Sequence, residues 1–190
     1  MVCFEPSKIQ LRGRGFHLYT LIEITELDSS ITRRITPFYD VKSVHSTYRG
    51  ARNALMRQKR KYESYGIQCT VNGDILVISG VPWKALTKIS YKIQKETLYG
   101  IRLQDYVFHL IEFEGYLKAQ DKPYRYSNLG WFTSPYVAKM TKEWQIMRYM
   151  IANRDDIIGY EYDNEIGIMG PYGITDQNPS LIIRPYKLYK

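Results

Sequence analysis

The tetrapeptides Leu-Ile-Glu-Ile at 21–24 and Leu-Ile-Glu-Phe at 110–113 lie 89 positions apart, and the likeness extends outwards from both. Phe16–Leu27 (FHLYTLIEITEL) aligns with Asp105–Leu117 (DYVFHLIEFEGYL). Each is rich in β-branched and aromatic residues and reads as a strand. A polar stretch follows each, then shorter strand candidates at Ile31–Pro37 and Pro123–Ser127. Helical spacing comes next. Tyr48, Ala51, Leu55 and Tyr62 recur on one face, with Gly66 as the stop signal. Val137, Met140, Trp144 and Ile151 sit 89 positions later, behind a Ser134-Pro135 start.

Two-residue turn signals then mark hairpins. Ile67–Val71 and Asp74–Ser79 flank Asn72-Gly73, and Ile158–Tyr162 and Glu165–Met169 flank Asp163-Asn164. Gly80-Val81-Pro82-Trp83 matches Met169-Gly170-Pro171-Tyr172 in character, and SYKIQK at 90–95 answers PYKLYK at 185–190. The order predicts an α+β protein built by tandem duplication of a strand-strand-helix-hairpin-strand unit. Each copy packs one helix on a mostly antiparallel sheet. The predicted boundaries are a basic first repeat at 1–95, a joint at 96–104 and a near-neutral second repeat at 105–190. Trp83–Tyr99 also fits a helical period through Trp83, Leu86, Ile89 and Ile93, so strand and helix both stand for that stretch.

Charge separates the two halves. Residues 1–100 hold 16 Lys/Arg against 8 Asp/Glu, whereas residues 101–190 hold 11 of each, so the net charge of +8 belongs to the first half. At about 100° per residue, the face of the first helix opposite its apolar stripe carries Arg49, Asn53, Arg57 and Arg60, with Arg52, Lys59 and Lys61 on its flanks. At an offset of 89 the second helix presents Ala138, Lys142, Ile146 and Tyr149 there. Arginine donors matched to phosphate oxygens give affinity through counterion release without reading sequence. The expected contacts are therefore Arg49, Arg52, Arg57, Lys59, Arg60 and Lys61, extended by Arg12, Arg14, Arg33 and Arg34. A solvated face that aids solubility is the plain alternative. Tyr48, Tyr62 and Tyr65 offer rings for base stacking, although their helical spacing favours core packing. Ile146 and Tyr149 either cover another part of the same chain or contact a partner.

Signals for catalysis are absent. Three histidines, His17, His45 and His109, form no metal-ligand spacing, and Cys3 and Cys69 form no knuckle or redox pair. Cys69 alternates with Ile67 and Val71 and reads as a buried thiol. Glu23 and Glu112 occupy matching strand positions, where carboxylates pair with lysine across a sheet more often than they perform acid–base work. No phosphate-cradling loop or nucleophile elbow occurs. No run is long enough to cross a bilayer and no leader pattern precedes the first strand, which points to a cytoplasmic or intracellular protein.

The expectation is thus a non-catalytic, cofactor-free protein that binds nucleic acid or an acidic protein surface through its basic first repeat. Self-association or a protein partner is open to it, and no membrane role is expected. The alternative is a protein-interaction or assembly component, such as a bacteriophage structural protein or an inhibitor of a host factor, with a virion location if phage-encoded. The 18 tyrosines suit such contact surfaces.

Overall fold

The computed structural model describes residues 16–27, 37–81, 86–100, 102–114, 116–117, 122–123, 127–152, 158–162, 165–169 and 179–190. It is a mixed α+β protein with two helices among the described residues. The first elements are β1 (Phe16–Leu27), β2 (Phe38–His45), α1 (Tyr48–Glu63), β3 (Gln68–Asn72), β4 (Ile75–Ser79) and β5 (Leu86–Tyr99). There follow β6 (Tyr106–Glu114), β7 (Tyr116–Leu117), β8 (Lys122–Pro123), β9 (Ser127–Phe132), α2 (Pro135–Ala152), β10 (Ile158–Tyr162), β11 (Glu165–Met169) and β12 (Pro179–Tyr189). Hydrogen-bonded neighbours run β1-β2-β12-β6-β9-β5-β4-β3, with β5 also paired to β1 and the β10–β11 hairpin attached to β12. Contacts divide the chain into two compact units. One holds His17–Glu96 with Lys187–Lys190, and the other holds Thr97–Tyr186.

In the first unit the order is β3-β4-β5-β1-β2, completed by the end of β12. Leu188 and Tyr189 pair in parallel with Val44 and His45. The β3–β4 hairpin pairs Asn72 with Ile75, so Gly73-Asp74 is the turn, one residue beyond the predicted Asn72-Gly73. Gly73 supplies its positive φ of 55°. Thr47 caps α1: its Oγ1 accepts the Gly50 N–H at 3.1 Å. The predicted inward stripe holds for Ala51, Leu55 and Tyr62, joined by Ala54, whereas Tyr48 in the first turn is 45% exposed. Burying Leu55 contributes about 1.5–3 kcal/mol. Gly66 at φ 74° ends the helix, with the Ile67 N–H donating to Tyr62 O at 3.1 Å. Cys69 lies with Ile67 and Val71 against the same core, as its alternation predicted.

The second unit has the corresponding order β10-β11-β12-β6-β9, completed by the end of β5. Leu98 and Tyr99 pair in parallel with Trp131 and Phe132. The stretch open to a helical reading is therefore the strand β5 from Leu86 onward, and it runs into the predicted joint. Pro135 opens α2, and the Ala138 N–H donates to Ser134 O at 3.1 Å.

Strand registers match in detail. The β1–β2 ladder breaks between Leu21 and Ile22, passing over Lys42. The β6–β9 ladder breaks between Leu110 and Ile111, passing over Leu129. Both breaks are β-bulges at the Leu-Ile step of the two echoing tetrapeptides. The first bulge also explains why β2 carries no alternating signal in the sequence. The extra residue at Lys42 puts Val41 and Val44 three apart yet both buried, so strict alternation fails there. Of the predicted strand Ile31–Pro37, Pro37 precedes β2 and residues 31–36 lie outside the described residues. In the second half Ser127 opens β9, Pro123 belongs to β8, and residues 124–126 are outside that set.

The predicted face of α2 is corrected. Ala138 is 0%, Lys142 4% and Ile146 9% exposed, so these supposed outward positions form the buried stripe. Pro135, Tyr136, Lys139, Glu143 and Met147 are exposed instead. The 89-residue spacing of the two tetrapeptides does not extend to the helix starts. Strand β2 ends at His45 and α1 starts at Tyr48, while β9 ends at Phe132 and α2 starts at Pro135, which is 87 positions, not 89. Two residues rotate a helix by about 200°, which brings Ala138, Lys142 and Ile146 inward, while Val137 of the predicted stripe still packs against the core and Met140 and Trp144 are half-buried.

Candidate nucleic-acid interface

The cationic residues of α1 divide by what holds them. Arg49, Asn53, Arg57, Arg60 and Lys61 are exposed, and Arg52 and Lys59 are half-buried. The Arg52 guanidinium donates to the Gly73 carbonyl, and the Tyr48 hydroxyl donates to Asp74 Oδ1 at 2.5 Å. These bonds fasten the first turn of α1 to the β3–β4 turn. Lys59 pairs with Glu63 at 2.7 Å across one helical turn. Arg60 donates its Nε–H to the Met56 carbonyl at 3.4 Å and is exposed. Among the described residues, Arg49, Arg57 and Lys61 have no acidic partner within ion-pair distance.

Of the ten expected phosphate contacts, α1 thus presents Arg49, Arg57, Arg60 and Lys61 to solvent, while Arg52 and Lys59 have structural partners. Arg12, Arg14, Arg33 and Arg34 lie outside the described residues. Glu63 is the lone acid of the helix, so the face is nearly single-signed. No acid stands in its first turn, and Arg60 and Lys61 stand in its last, where they complement the negative end of the helix dipole.

Burial and, secondarily, the Arg57 charge lower the pKa of His45, which is 3% exposed and shares a 2.9 Å hydrogen bond with Ser43 Oγ. A neutral His45 at pH 7 adds no charge beside Arg57. Burial raises the Cys69 thiol, and its Sγ donates to the Ile67 carbonyl at 3.6 Å, so it is not an activated nucleophile.

The three candidate tyrosines differ. Tyr62 shares a 3.3 Å hydrogen bond with Tyr91, and Tyr48 meets Tyr19 edge-on at 5.8 Å between centroids. Tyr65 is 68% exposed, and its ring has no hydrogen bond or ring contact among the described residues. For α2, Ile146 is covered by the chain itself, and the side chain of Tyr149 is outside the described residues.

Two polar clusters escaped sequence reasoning. In the first unit Tyr91, 2% exposed, donates to Glu23 Oε2 at 2.5 Å, and Lys42 approaches Glu23 at 3.2 Å and Asp40 at 2.7 Å. Burial lowers the Lys42 pKa, but Asp40 and Glu23 outweigh it and raise the value. The lysine pairing expected of Glu23 is therefore present, and Tyr91 is the addition. In the second unit His109 stacks on Trp131 at 3.8 Å and 8°, shares a 3.1 Å hydrogen bond with Asn128, and lies 6.2 Å from the Tyr186 ring. Burial lowers the His109 pKa to about 3, so the ring is neutral. Both clusters join residues from neighbouring strands whose pairing no local spacing announces.

Among the described residues no group of three or more His, Cys, Asp or Glu is placed to hold a metal ion. None of the helices there is long and apolar enough to cross a membrane. Compared with family models, curated proteins and solved structures, this chain has no match.

Proposed function

We propose that this protein binds nucleic acid through the phosphate backbone, using the exposed face of α1. The carrying observation is a row of Arg49, Arg57, Arg60 and Lys61 on one 16-residue helix, exposed, nearly single-signed and without acidic partners among the described residues. Such a row spans about 18 Å of helix at 1.5 Å per residue. Guanidinium groups held on a rigid helix suit the repeated oxygens of a phosphate chain. Binding of this kind is non-catalytic and sequence-tolerant.

The chain is best understood as a tandem duplication whose copies have diverged in charge. Support comes from the shared strand order, the two bulges at Leu21/Ile22 and Leu110/Ile111, and the reciprocal strand ends. The Ser46 N–H donates to Tyr189 O at 2.8 Å, and the Thr133 N–H donates to Tyr99 O at 2.8 Å. With helices compared 87 positions apart, Arg49 stands against Tyr136 and Arg60 against Met147. Tyr136 is 68% and Met147 56% exposed. Those two side chains favour a second reading, in which α2 contacts a protein partner, and they replace Ile146 as its basis.

Fluorescence anisotropy with a labelled oligonucleotide tests the first reading. Arg49→Glu/Arg57→Glu/Arg60→Glu should abolish binding while the protein stays folded, and Lys139→Glu on α2 should change it less than about 3-fold. Equal losses from both would reassign the interaction to net charge alone. Unchanged binding by the triple variant would remove α1 from the interface.

A further inference from the structure

We infer that Tyr65 makes the basic face of α1 a binding surface for single-stranded nucleic acid. This rests on the phosphate-binding reading above and names the form of its ligand. Tyr65 follows the end of α1, one helical turn beyond Lys61. Its backbone is fixed by a closed set of turn bonds: Ser64 N–H to Arg60 O at 3.0 Å, Tyr65 N–H to Tyr62 O at 3.0 Å and Gly66 N–H to Glu63 O at 2.9 Å. Gly66 at φ 74° then sends the chain away into β3. The ring is thus mounted on an ordered turn, yet it is 68% exposed. Core packing accounts for Tyr62, and the contacts to Tyr19 and Asp74 occupy Tyr48. Neither accounts for Tyr65.

Its neighbours supply the complementary charge. Lys61 and Arg60 precede it by four and five residues, an axial separation of about 6–8 Å. A strand whose phosphates follow Arg49, Arg57, Arg60 and Lys61 brings a base to the Tyr65 ring at the end of that row. A duplex keeps its bases stacked inside and offers the ring no face, whereas a single strand splays its bases outward. Stacking on an aromatic ring tolerates any base, as phosphate contacts do.

The test uses the full chain with fluorescent oligothymidylate and with the same strand annealed to its complement. The single strand should bind more tightly. Tyr65→Ala should weaken single-strand binding by about 5- to 100-fold, a typical loss for one stacked base. Duplex affinity and the salt slope should stay unchanged, and Tyr65→Phe should retain wild-type affinity. Tyr65→Leu keeps bulk without the aromatic face, so it repeats the test if the alanine variant fails to fold. Duplex binding as tight as single-strand binding, or wild-type affinity in Tyr65→Ala and Tyr65→Leu, would overturn the inference while the triple arginine reversal still reports on phosphate binding. Failure of both probes to bind the wild-type chain would overturn the two readings together.

Discussion

Tyr91 and His109 show how individual side chains are committed inside the two units. The Tyr91 hydroxyl serves a Glu23 carboxylate whose side chain is 13% exposed, and its pKa is raised first by burial and then by that bond. Tyr91→Phe removes a donor from a half-desolvated carboxylate and should cost about 1–3 kcal/mol, read as a lower urea midpoint. A midpoint equal to wild type would mean that Glu23 is satisfied without the Tyr91 hydroxyl. His109 gives a pH dependence with a defined sign. Its folded pKa of about 3 lies below the ordinary 6.5, so the native state excludes a proton that the unfolded chain accepts. The stability from neutral His109 is complete above about pH 6.5 and falls by about 1.4 kcal/mol per pH unit as pH drops towards 3. Burial lowers His45 too, so it contributes in the same direction. Urea titrations at pH 7 and pH 4.5 should give a smaller difference for His109→Phe than for wild type. Equal differences would exclude His109 as a source of that acid sensitivity. The sequence marked Glu23 and His109 as strand residues but not their partners, because Tyr91 and Trp131 meet them across ladders that local spacing does not encode.

Elements were legible wherever period and punctuation agreed. The inward face of α1 followed from Ala51, Leu55 and Tyr62, although Tyr48 of the same period is exposed, and Gly66 marked its stop. Strand β2 was not legible, because the bulge at Lys42 breaks the period of two from which strands are recognised. The face of α2 was not legible for a different reason: the bulges of β1 and β6 lie 89 positions apart, but the two helices start 87 apart. Paired variants test the corrected register. Ile146→Ala deletes a side chain that is 9% exposed and should cost about 2–4 kcal/mol, whereas Met147→Ala, 56% exposed, should stay within about 0.5 kcal/mol. The reverse ranking of thermal midpoints would restore the original face. Gly100 offers a second element-level test. At φ 152° its added Cβ would stand 1.6 Å from Thr133 Oγ1, beside the β5–β9 pairing. Gly100→Ala should therefore destabilise by about 1–3 kcal/mol, and a neutral effect in denaturation would show that the turn can rearrange.

At the scale of the whole molecule, the contact units differ from a simple division of the sequence into halves. The first unit takes its last strand from residues 187–190, and Thr97–Tyr99 at the end of β5 belong to the second. The sequence showed the echo of SYKIQK and PYKLYK but not this exchange, because parallel pairing of distant segments leaves no local pattern. Leu188, 4% exposed, should matter to the unit that carries α1. Leu188→Ala should cost about 2–5 kcal/mol and lower hydrogen-exchange protection in β2, and intact protection there would contradict the assignment. The molecule joins a basic helix in one unit to a helix exposing Tyr136 and Met147 in the other, and the charge asymmetry of the sequence persists in the fold. Its central consequence is electrostatic. On the proposed function, the four solvent-facing cations Arg49, Arg57, Arg60 and Lys61 would each displace about 0.7 of a counterion on engaging a single strand. The most direct measurement is the affinity for fluorescent oligothymidylate across a series of salt concentrations. A slope of about −3 in log affinity against log salt, lost in Arg49→Glu/Arg57→Glu/Arg60→Glu, is the predicted result; a slope near zero, or one that survives the triple reversal, would contradict it.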